Sequence, residues 1–550
     1  MIESSFAQEC LERLMSVTSR AMDEQKSFLL RILEKNKDTF FGKKYDFSSI
    51  HSISDFQERL PFTEFDDYEK LIDREVAGER GIFTAAPPYF YCLSSGSLGE
   101  PKYFPLVKED AILQHIYWDG AIRGIIRRDL SQFTEEELFG NIFLMSDVFL
   151  TNMPNGAISG VRSAVASRMQ YEEGTYPYEL FYAPKEVLFP EKIVDIQYVK
   201  FRFALENQDI TAIHANFVHK AIASFRYLIE HFEQILFDME RGEVNSELCP
   251  DEKWASFLKK KLPPNPKRAE ELRVFSGSEL SKGLIQKIWP KIKYLRLSSG
   301  MQFYPFVEQI DYYSGGLPVY PFLYAATEGM FGVAQGVGKL DAYILIPDIC
   351  FFEFLPEQDE RQQALTLSQV KLGERYELII TTLSGLYRYR LGDVVEVVDF
   401  ENDSPVISIN YRKGQILNLA DEKMNSVQFD NAIGMFFGER EFWKAEYCVA
   451  GNCQKVPPCY SIFIESNESL PEKANRIMDE ALQKSCPGYK KAREENRLGE
   501  AEILRLPLGS FSEFWKLRGK GRRSEQTKPL KILTNKNDIV YFEQMNKRAQ

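Results

Sequence analysis

From the N-terminus to about residue 400, short apolar runs alternate with segments of helical period, and this alternation restricts the possible folds more than any other feature. The runs at residues 89–93, 141–145, 210–216, 293–297, 319–324, 342–346, 351–354 and 377–382 read as buried strands. Between them, residues 6–36 place apolar side chains at helical spacing, residues 55–77 do so in part with a break at Pro61, and residues 110–130 and 220–241 read as longer helices. Residues 155–160, with two glycines, read as a loop, and the proline-rich stretch 263–266 as a break within one domain. Short strands alternating with helices imply an α/β fold with mixed sheets flanked by helices. With 550 residues the chain exceeds what one core supports. The pattern changes near residue 410, where a strand at 405–410 is followed by Tyr411-Arg412-Lys413-Gly414 and then a helix at 426–436. This divides the chain into a large domain over residues 1–411 and a smaller, mobile α+β domain over residues 412–550. The glycine at the junction fits a hinge and fits a simple turn equally well.

A Ser/Gly-rich loop, Ser94-Ser95-Gly96-Ser97-Leu98-Gly99-Glu100-Pro101-Lys102, leaves the strand at 89–93. Backbone N–H groups and hydroxyls converging from such a loop suit phosphate oxygens, although a surface turn has the same composition. No Gly-Lys-Ser/Thr closes it, so it is not a P-loop. A formal charge of −12 argues against a general nucleic-acid binder. Eight cysteines are scattered over the chain without metal-site spacing, which fits a reducing, cytoplasmic setting. Of the five histidines, His214 and His219 lack the spacing of a zinc motif and read as ordinary polar residues. No secretory signal and no stretch long enough to span a membrane is expected.

Three later stretches place polar residues at strand ends, where α/β sheets build ligand sites. They are Leu297-Ser298-Ser299-Gly300-Met301, Tyr324-Ala325-Ala326-Thr327-Glu328-Gly329, and Tyr389-Arg390-Leu391-Gly392-Asp393, the last with its acid directly after a tight glycine turn. Glu328 as a helix cap and Asp393 as turn chemistry are the plain readings. Together the stretches supply a phosphate cradle, one carboxylate for Mg²⁺ and one for ribose hydroxyls.

The Ser-Ser-Gly-Ser-Leu-Gly-Glu-Pro-Lys stretch resembles the first signature of the adenylate-forming superfamily. Combined with Tyr-Ala-Ala-Thr-Glu and Tyr-Arg-Leu-Gly-Asp, it resembles the Gretchen Hagen 3 acyl-acid amido synthetases. The resemblance extends to Phe56-Gln57, Trp289-Pro290, Gly315-Gly316-Leu317-Pro318, Phe352-Glu353-Phe354 and Gln526-Thr527-Lys528-Pro529. It implies adenylation of a small carboxylic acid by ATP with Mg²⁺, then transfer of the acyl group to an amino acid. By position it implies that Ser94, Ser95, Ser97, Ser299, Gly300, Tyr324, Thr327, Glu328 and Asp393 bind ATP, with Glu328 holding Mg²⁺. Met301 and Tyr304 would border the acyl pocket, Arg412 would sit at the hinge, and Lys423 and Lys528 would be the cations the small domain brings to the adenylate. Partners are then small molecules only, with no nucleic acid or membrane, and the protein is expected to be a monomer. Two departures stand out: Thr327 replaces the family's serine, and Glu422-Lys423-Met424-Asn425-Ser426 lacks the family's usual carboxylate two positions after Asp-Lys-Thr. The second weighs on the amine-binding half. An acyl-CoA ligase and a catalytically weak nucleotide-binding protein remain the alternatives. Lys102 reads either as solvated charge or as a phosphate contact, and the basic run Lys516 to Arg523 either as a solvated face or as a contact with pyrophosphate or a partner.

Overall fold

A computed structural model describes residues 4–93, 102–146, 150–153, 156–172, 174, 177–190, 196–275, 282–298, 304–357, 363–413, 416–417, 419–420, 422, 424–438, 446–466, 470–518, 531–533 and 536–549. Two compact units emerge, a larger one from most of the chain up to Ile409 and a smaller one from Asn410 onward together with Gly392–Val394.

Among the described residues the larger unit contains three sheets. Eight strands form one in the order Leu365–Thr366, Cys350–Pro356, Arg375–Thr382, Tyr389–Glu401, Ser404–Arg412, Tyr343–Leu345, Met330–Ala334, Leu323–Ala325. A second, all-parallel sheet has the order Ile142–Leu144, Ala212–Ala215, Tyr294–Leu297, Val319–Tyr320. The third joins Tyr103–Leu106, Phe90–Leu93, Ile158–Gly160 and Leu150–Asn152, and pairs its strands both ways. Mixed sheets flanked by helices are what the alternation predicts. The two N-terminal helices, Ser4–Thr18 and Ala21–Asn36, bury Leu14, Phe28, Leu29 and Ile32 against the first sheet's core.

Two local readings of the sequence need correction. Residues 155–160 are not all loop, because Ile158–Gly160 pairs in parallel with Phe90–Leu93. The run 319–324 is not one strand: it splits into Val319–Tyr320 in the parallel sheet and Leu323–Ala325 in the large one, with Phe322 between them at φ +73°. A left-handed residue breaks strand geometry, so the chain changes sheets there.

One buried network explains two of the motif fragments. Arg388, itself left-handed at φ +48°, donates to Glu353 from Nε at 3.1 Å and from Nη2 at 2.9 Å, and to the Gln57 carbonyl at 2.7 Å. Gln57 in turn donates to Glu353 at 2.9 Å. Glu353 is 1% exposed, and burial raises its carboxyl even against the Arg388 cation. Such a pair is stable only because every polar group finds a partner.

The smaller unit has a four-stranded sheet, Glu502–Leu506, Cys459–Glu465, Glu446–Asn452 and Ile532–Leu533, packed with helices that include Ser426–Phe437 and Ala474–Ser485. Asn425 caps the first of these through a reciprocal pair with Gln428.

Candidate active site

The Leu323–Ala325 and Met330–Ala334 strands run antiparallel, and their connection is closed by Ala326 N–H donating to the Gly329 carbonyl at 2.9 Å. The register slips between Met330 and Gly332, an irregularity of the kind a β-bulge makes, just beyond the turn. Thr327 and Glu328 therefore sit at a strand end within a tight turn, and no helix follows for Glu328 to cap. Glu328 is 9% exposed. Tyr324 lies on the strand below, buried against Phe331 at 5.1 Å and Tyr343 at 6.2 Å.

Arg162 fixes this turn, and nothing in the motif pattern indicates it. Its Nε and Nη2 both donate to the Thr327 carbonyl at 3.2 Å, and Nη1 lies 3.4 Å from Gln114 Oε1 and 3.8 Å from Asp110 Oδ1. Asp110 accepts from the Ser384 hydroxyl at 2.6 Å, and that hydroxyl accepts from Val107 N–H at 3.2 Å. The Arg162 and Asp110 side chains are only 4% and 5% exposed. The Cys92 thiol lies within range of all three charges. Burial pushes it up to about 11, Arg162 opposes the rise, and Asp110 and Glu328 add to it.

Asp393 is not at a turn: it lies within the long Tyr389–Glu401 strand, just after Gly392 at φ +82°. That left-handed glycine lets its carbonyl accept from Lys413 N–H at 2.6 Å, and Asp393 Oδ1 lies 3.5 Å from Arg412 Nε. Asp393 and Arg412 thus form an ion pair at the end of the Ser404–Arg412 strand.

In the smaller unit Glu422 is 4% exposed and accepts from the Leu419 and Ala420 N–H groups at 2.7 and 2.6 Å and from the Tyr460 hydroxyl. Glu422 is thereby held by main-chain and phenol donors. Ser94, Ser95, Ser97, Ser299, Gly300, Met301, Lys423 and Lys528 lie outside the described residues, and Tyr304 is described only as the backbone start of the Tyr304–Ser314 helix. Lys102 is exposed, with Nζ 4.0 Å over the Phe65 ring.

A chamber of about 110 Å³ lies between the parallel sheet and the helices Ile122–Asp129 and Ala164–Glu172. A π-helical turn, Ile116–Ala121, presents Trp118 and Asp119 to it. Ile142, Leu144, His214, Tyr294 and Arg296 face it from the strands. His214 Nε2 and the Tyr294 hydroxyl are 3.0 Å apart. Burial, with the Arg296 and Arg123 cations beside it, holds His214 well below the usual histidine range, so the imidazole is neutral. Reading His214 as an ordinary polar residue missed this setting, which only the sheet register creates. Among the described residues no group of three or more His, Cys, Asp or Glu is placed to hold a metal, and no helix is long and apolar enough to cross a membrane.

Three family models match in order: the GH3 family N-terminal domain at residues 10–319, the GH3 family central domain at 343–412 and the GH3 family C-terminal domain at 428–537. Among curated relatives, a probable indole-3-acetic acid-amido synthetase GH3.11 of Oryza sativa subsp. japonica is 26% identical over 92% of this chain and 90% of its own length. The indole-3-acetic acid-amido synthetase GH3.5 of Arabidopsis thaliana is 26% identical over 92% and 87%. The solved structure of AtGH3.15 acyl acid amido synthetase in complex with 2,4-DB shares the fold with a TM-score of 0.83 at 23% identity, covering 98% of this chain and 96% of that one. A 2-hydroxyisobutyryl-CoA ligase shares it more loosely, with a TM-score of 0.53 at 13% identity over 98% and 92%.

Proposed function

The chain belongs to the GH3 family, and on that footing we propose that it is an ATP-dependent acyl acid amido synthetase. The observation that carries the reading is the Thr327-Glu328 turn, a strand-end carboxylate whose turn is held through the Thr327 carbonyl by Arg162, itself buried opposite Asp110. In the first step a carboxylate oxygen of the acid attacks the α-phosphorus of ATP, the bond to the β-phosphate oxygen breaks, and pyrophosphate leaves. In the second an amino group attacks the acyl carbon, the bond to the AMP oxygen breaks, and the amide forms as the amine loses its proton.

Each residue's role follows from the charge it meets. Two anions must approach in the first step, so neutralisation is the main demand. Ser94, Ser95 and Ser97 are assigned to the phosphates, Ser299, Gly300, Tyr324 and Thr327 to the nucleotide, and Asp393 to the ribose hydroxyls. Glu328 fits a Mg²⁺ ligand: one nearly buried carboxylate, completed by phosphate oxygens and water, is the usual set for this ion at a nucleotide. When bound, Mg²⁺ supplies charge neutralisation on the phosphate oxygens. The chamber is assigned to the acid, and Met301 and Tyr304 are assigned to the acyl pocket. Lys423 and Lys528 are assigned to the small domain, residues 412–550, which acts as a lid over the large one and turns at Arg412. Closing it would keep water from the adenylate. The protein would act as a monomer on small molecules.

The test is pyrophosphate release with a panel of carboxylic acids, with an amino acid mixture or coenzyme A added. Acid-dependent release followed by amide is the expected result. Thioester without amide would move the protein to the acyl-CoA ligases. Tight ATP binding with no release from any acid, and an Asp393→Ala variant that keeps its biological effect, would leave a nucleotide-binding protein instead.

A further inference from the structure

We propose that Arg13, Tyr117 and Asp348 are positioning residues for the acid: with the N-terminal helix they hold the π-helical turn Ile116–Ala121 that sets Trp118 and Asp119 in the wall of the acid chamber. The inference rests on the adenylation reading and deepens it at the acid chamber.

The turn is of a kind that needs holding. Ile122 N–H donates to the Tyr117 carbonyl five residues back, so the turn is wider than its α-helical neighbours Lys108–His115 and Ile122–Asp129. Returning it to α geometry would rotate the helix before it by about 100° against the helix after it. Trp118 and Asp119 lie in the middle of the turn, so their place in the chamber wall beside Ile122, Arg123 and Ile126 depends on it. Trp118 meets Phe322 edge to face at 4.6 Å, at the residue where the chain changes sheets.

The N-terminal helix Ser4–Thr18 lies across this turn and grips both sides of it. Ala7, Cys10 and Arg13, three residues apart on one face, meet Gly124, Gly120 and Tyr117 in turn. A Cβ at Gly124 would stand 2.7 Å from the Ala7 carbonyl oxygen, and one at Gly120 2.7 Å from Cys10 Cβ, so the helices touch backbone to backbone after the turn's centre. Before it, Phe6 stacks on His115 at 5.4 Å, and His115 Nδ1 lies 2.7 Å from Asp119 Oδ2.

The polar lock sits between these contacts. Arg13 donates to Asp348 Oδ2 from Nη2 at 2.6 Å and from Nε at 3.2 Å, and its Nε lies 3.3 Å from the Tyr117 hydroxyl oxygen. The Tyr117 hydroxyl donates to Asp348 Oδ1. Burial and the Asp348 charge raise the Tyr117 phenol well above its ordinary value, so it stays protonated and keeps donating. Asp348 is fixed in its own right. The buried Gln25 donates to the Pro347 and Cys350 carbonyls on either side, both at 2.6 Å, and accepts from Phe352 N–H at 2.8 Å. A rigid turn thus anchors Tyr117, and Tyr117 anchors the π turn one residue before Trp118.

The experiment measures pyrophosphate release with acid and ATP varied separately, using benzoate, phenylacetate and indole-3-acetate, in wild type and in Tyr117→Phe, Arg13→Met, Arg13→Lys and Trp118→Phe. Tyr117→Phe and Arg13→Met should raise KM for the acid by about tenfold while KM for ATP stays within about twofold, and Arg13→Lys should recover part of the loss. Amide exchange over residues 116–121 should quicken by about tenfold in Tyr117→Phe. Because the Arg13 side chain is 45% exposed, Arg13→Met carries the comparison should Tyr117→Phe not fold. Equal changes in the two KM values, or no change in KM for the acid, overturn the inference while adenylation stands. In the second case a shift in Trp118→Phe keeps the acid in the chamber, and no shift removes it. If no acid releases pyrophosphate, adenylation is overturned and thermal-shift binding of the same acids to the same variants decides the inference. Absence of binding to wild type overturns both.

Discussion

Replacing Arg162 by Met tests whether the turn carrying Glu328 is held by a buried charge pair. The substitution keeps the aliphatic length of the side chain and removes both donors to the Thr327 carbonyl, the contact to Gln114 and the cation facing Asp110. Asp110 would keep only the Ser384 hydroxyl at 2.6 Å in a site where its side chain is 5% exposed. Removing one member of a buried pair typically costs about 3–5 kcal/mol, most of it from the stranded partner charge. Because the pair is separated by 3.8 Å, the lower end applies, and losing both donors to one part-buried carbonyl adds about 1 kcal/mol. Equilibrium urea unfolding should therefore show a loss near 4 kcal/mol, and Asp110→Asn added to Arg162→Met should restore about 1–3 kcal/mol of it. Function follows position: a turn displaced by about 1 Å loses on the order of a hundredfold in rate. Acid-dependent ATP–pyrophosphate exchange should fall by about that factor, with Arg162→Lys intermediate because a point charge cannot reproduce two parallel donors. An Arg162→Met protein that unfolds within about 1 kcal/mol of wild type and exchanges normally would refute the argument.

Other perturbations give distinct signatures. Glu328→Ala should abolish Mg²⁺-dependent pyrophosphate release while the circular dichroism spectrum stays that of wild type; retained release would remove Glu328 from the metal. Glu75 is 1% exposed, and burial pushes its carboxyl up to about 7 with Arg80 opposing. The native state then keeps a proton that the unfolded chain sheds above the ordinary carboxylate range, so stability falls as pH rises through that window to about 7, by roughly 3 kcal/mol. Glu75→Gln should match wild type near pH 4 and exceed it above pH 7 in urea unfolding, and identical pH slopes would contradict the assignment. Glu422→Gln weakens acceptance from two N–H groups and should impair amide formation more than adenylation, measured as product amide against pyrophosphate released.

What could be read from the sequence was the strand end at Thr327-Glu328, because that pair carries its chemistry in adjacent residues; the Ser/Gly loop lies outside the described residues, and the Gly-Asp pair lies within a strand rather than at its end. The α/β class was equally accessible, since its signal is the change of period from one segment to the next. What holds that end in place was not. Arg162 reaches Thr327 across 165 residues and Gln114 across 48, and its own segment shows no pattern that distinguishes a buried guanidinium from a surface one. Arg388 and Glu353 make the same point from the other side: the fragments around Glu353 and Gln57 looked like family markers, and the structure shows them serving one buried ion pair. A strand end can present a carboxylate, but the geometry of adenylation needs that carboxylate fixed. Here the fixing is done by charges drawn from distant segments, each of them unstable if its partner is lost. The same logic applies to His214, unremarkable by spacing and informative only once the parallel register sets it beside Arg296 and 3.0 Å from Tyr294. Which residues face each other across strands is a property that single-sequence spacing does not contain.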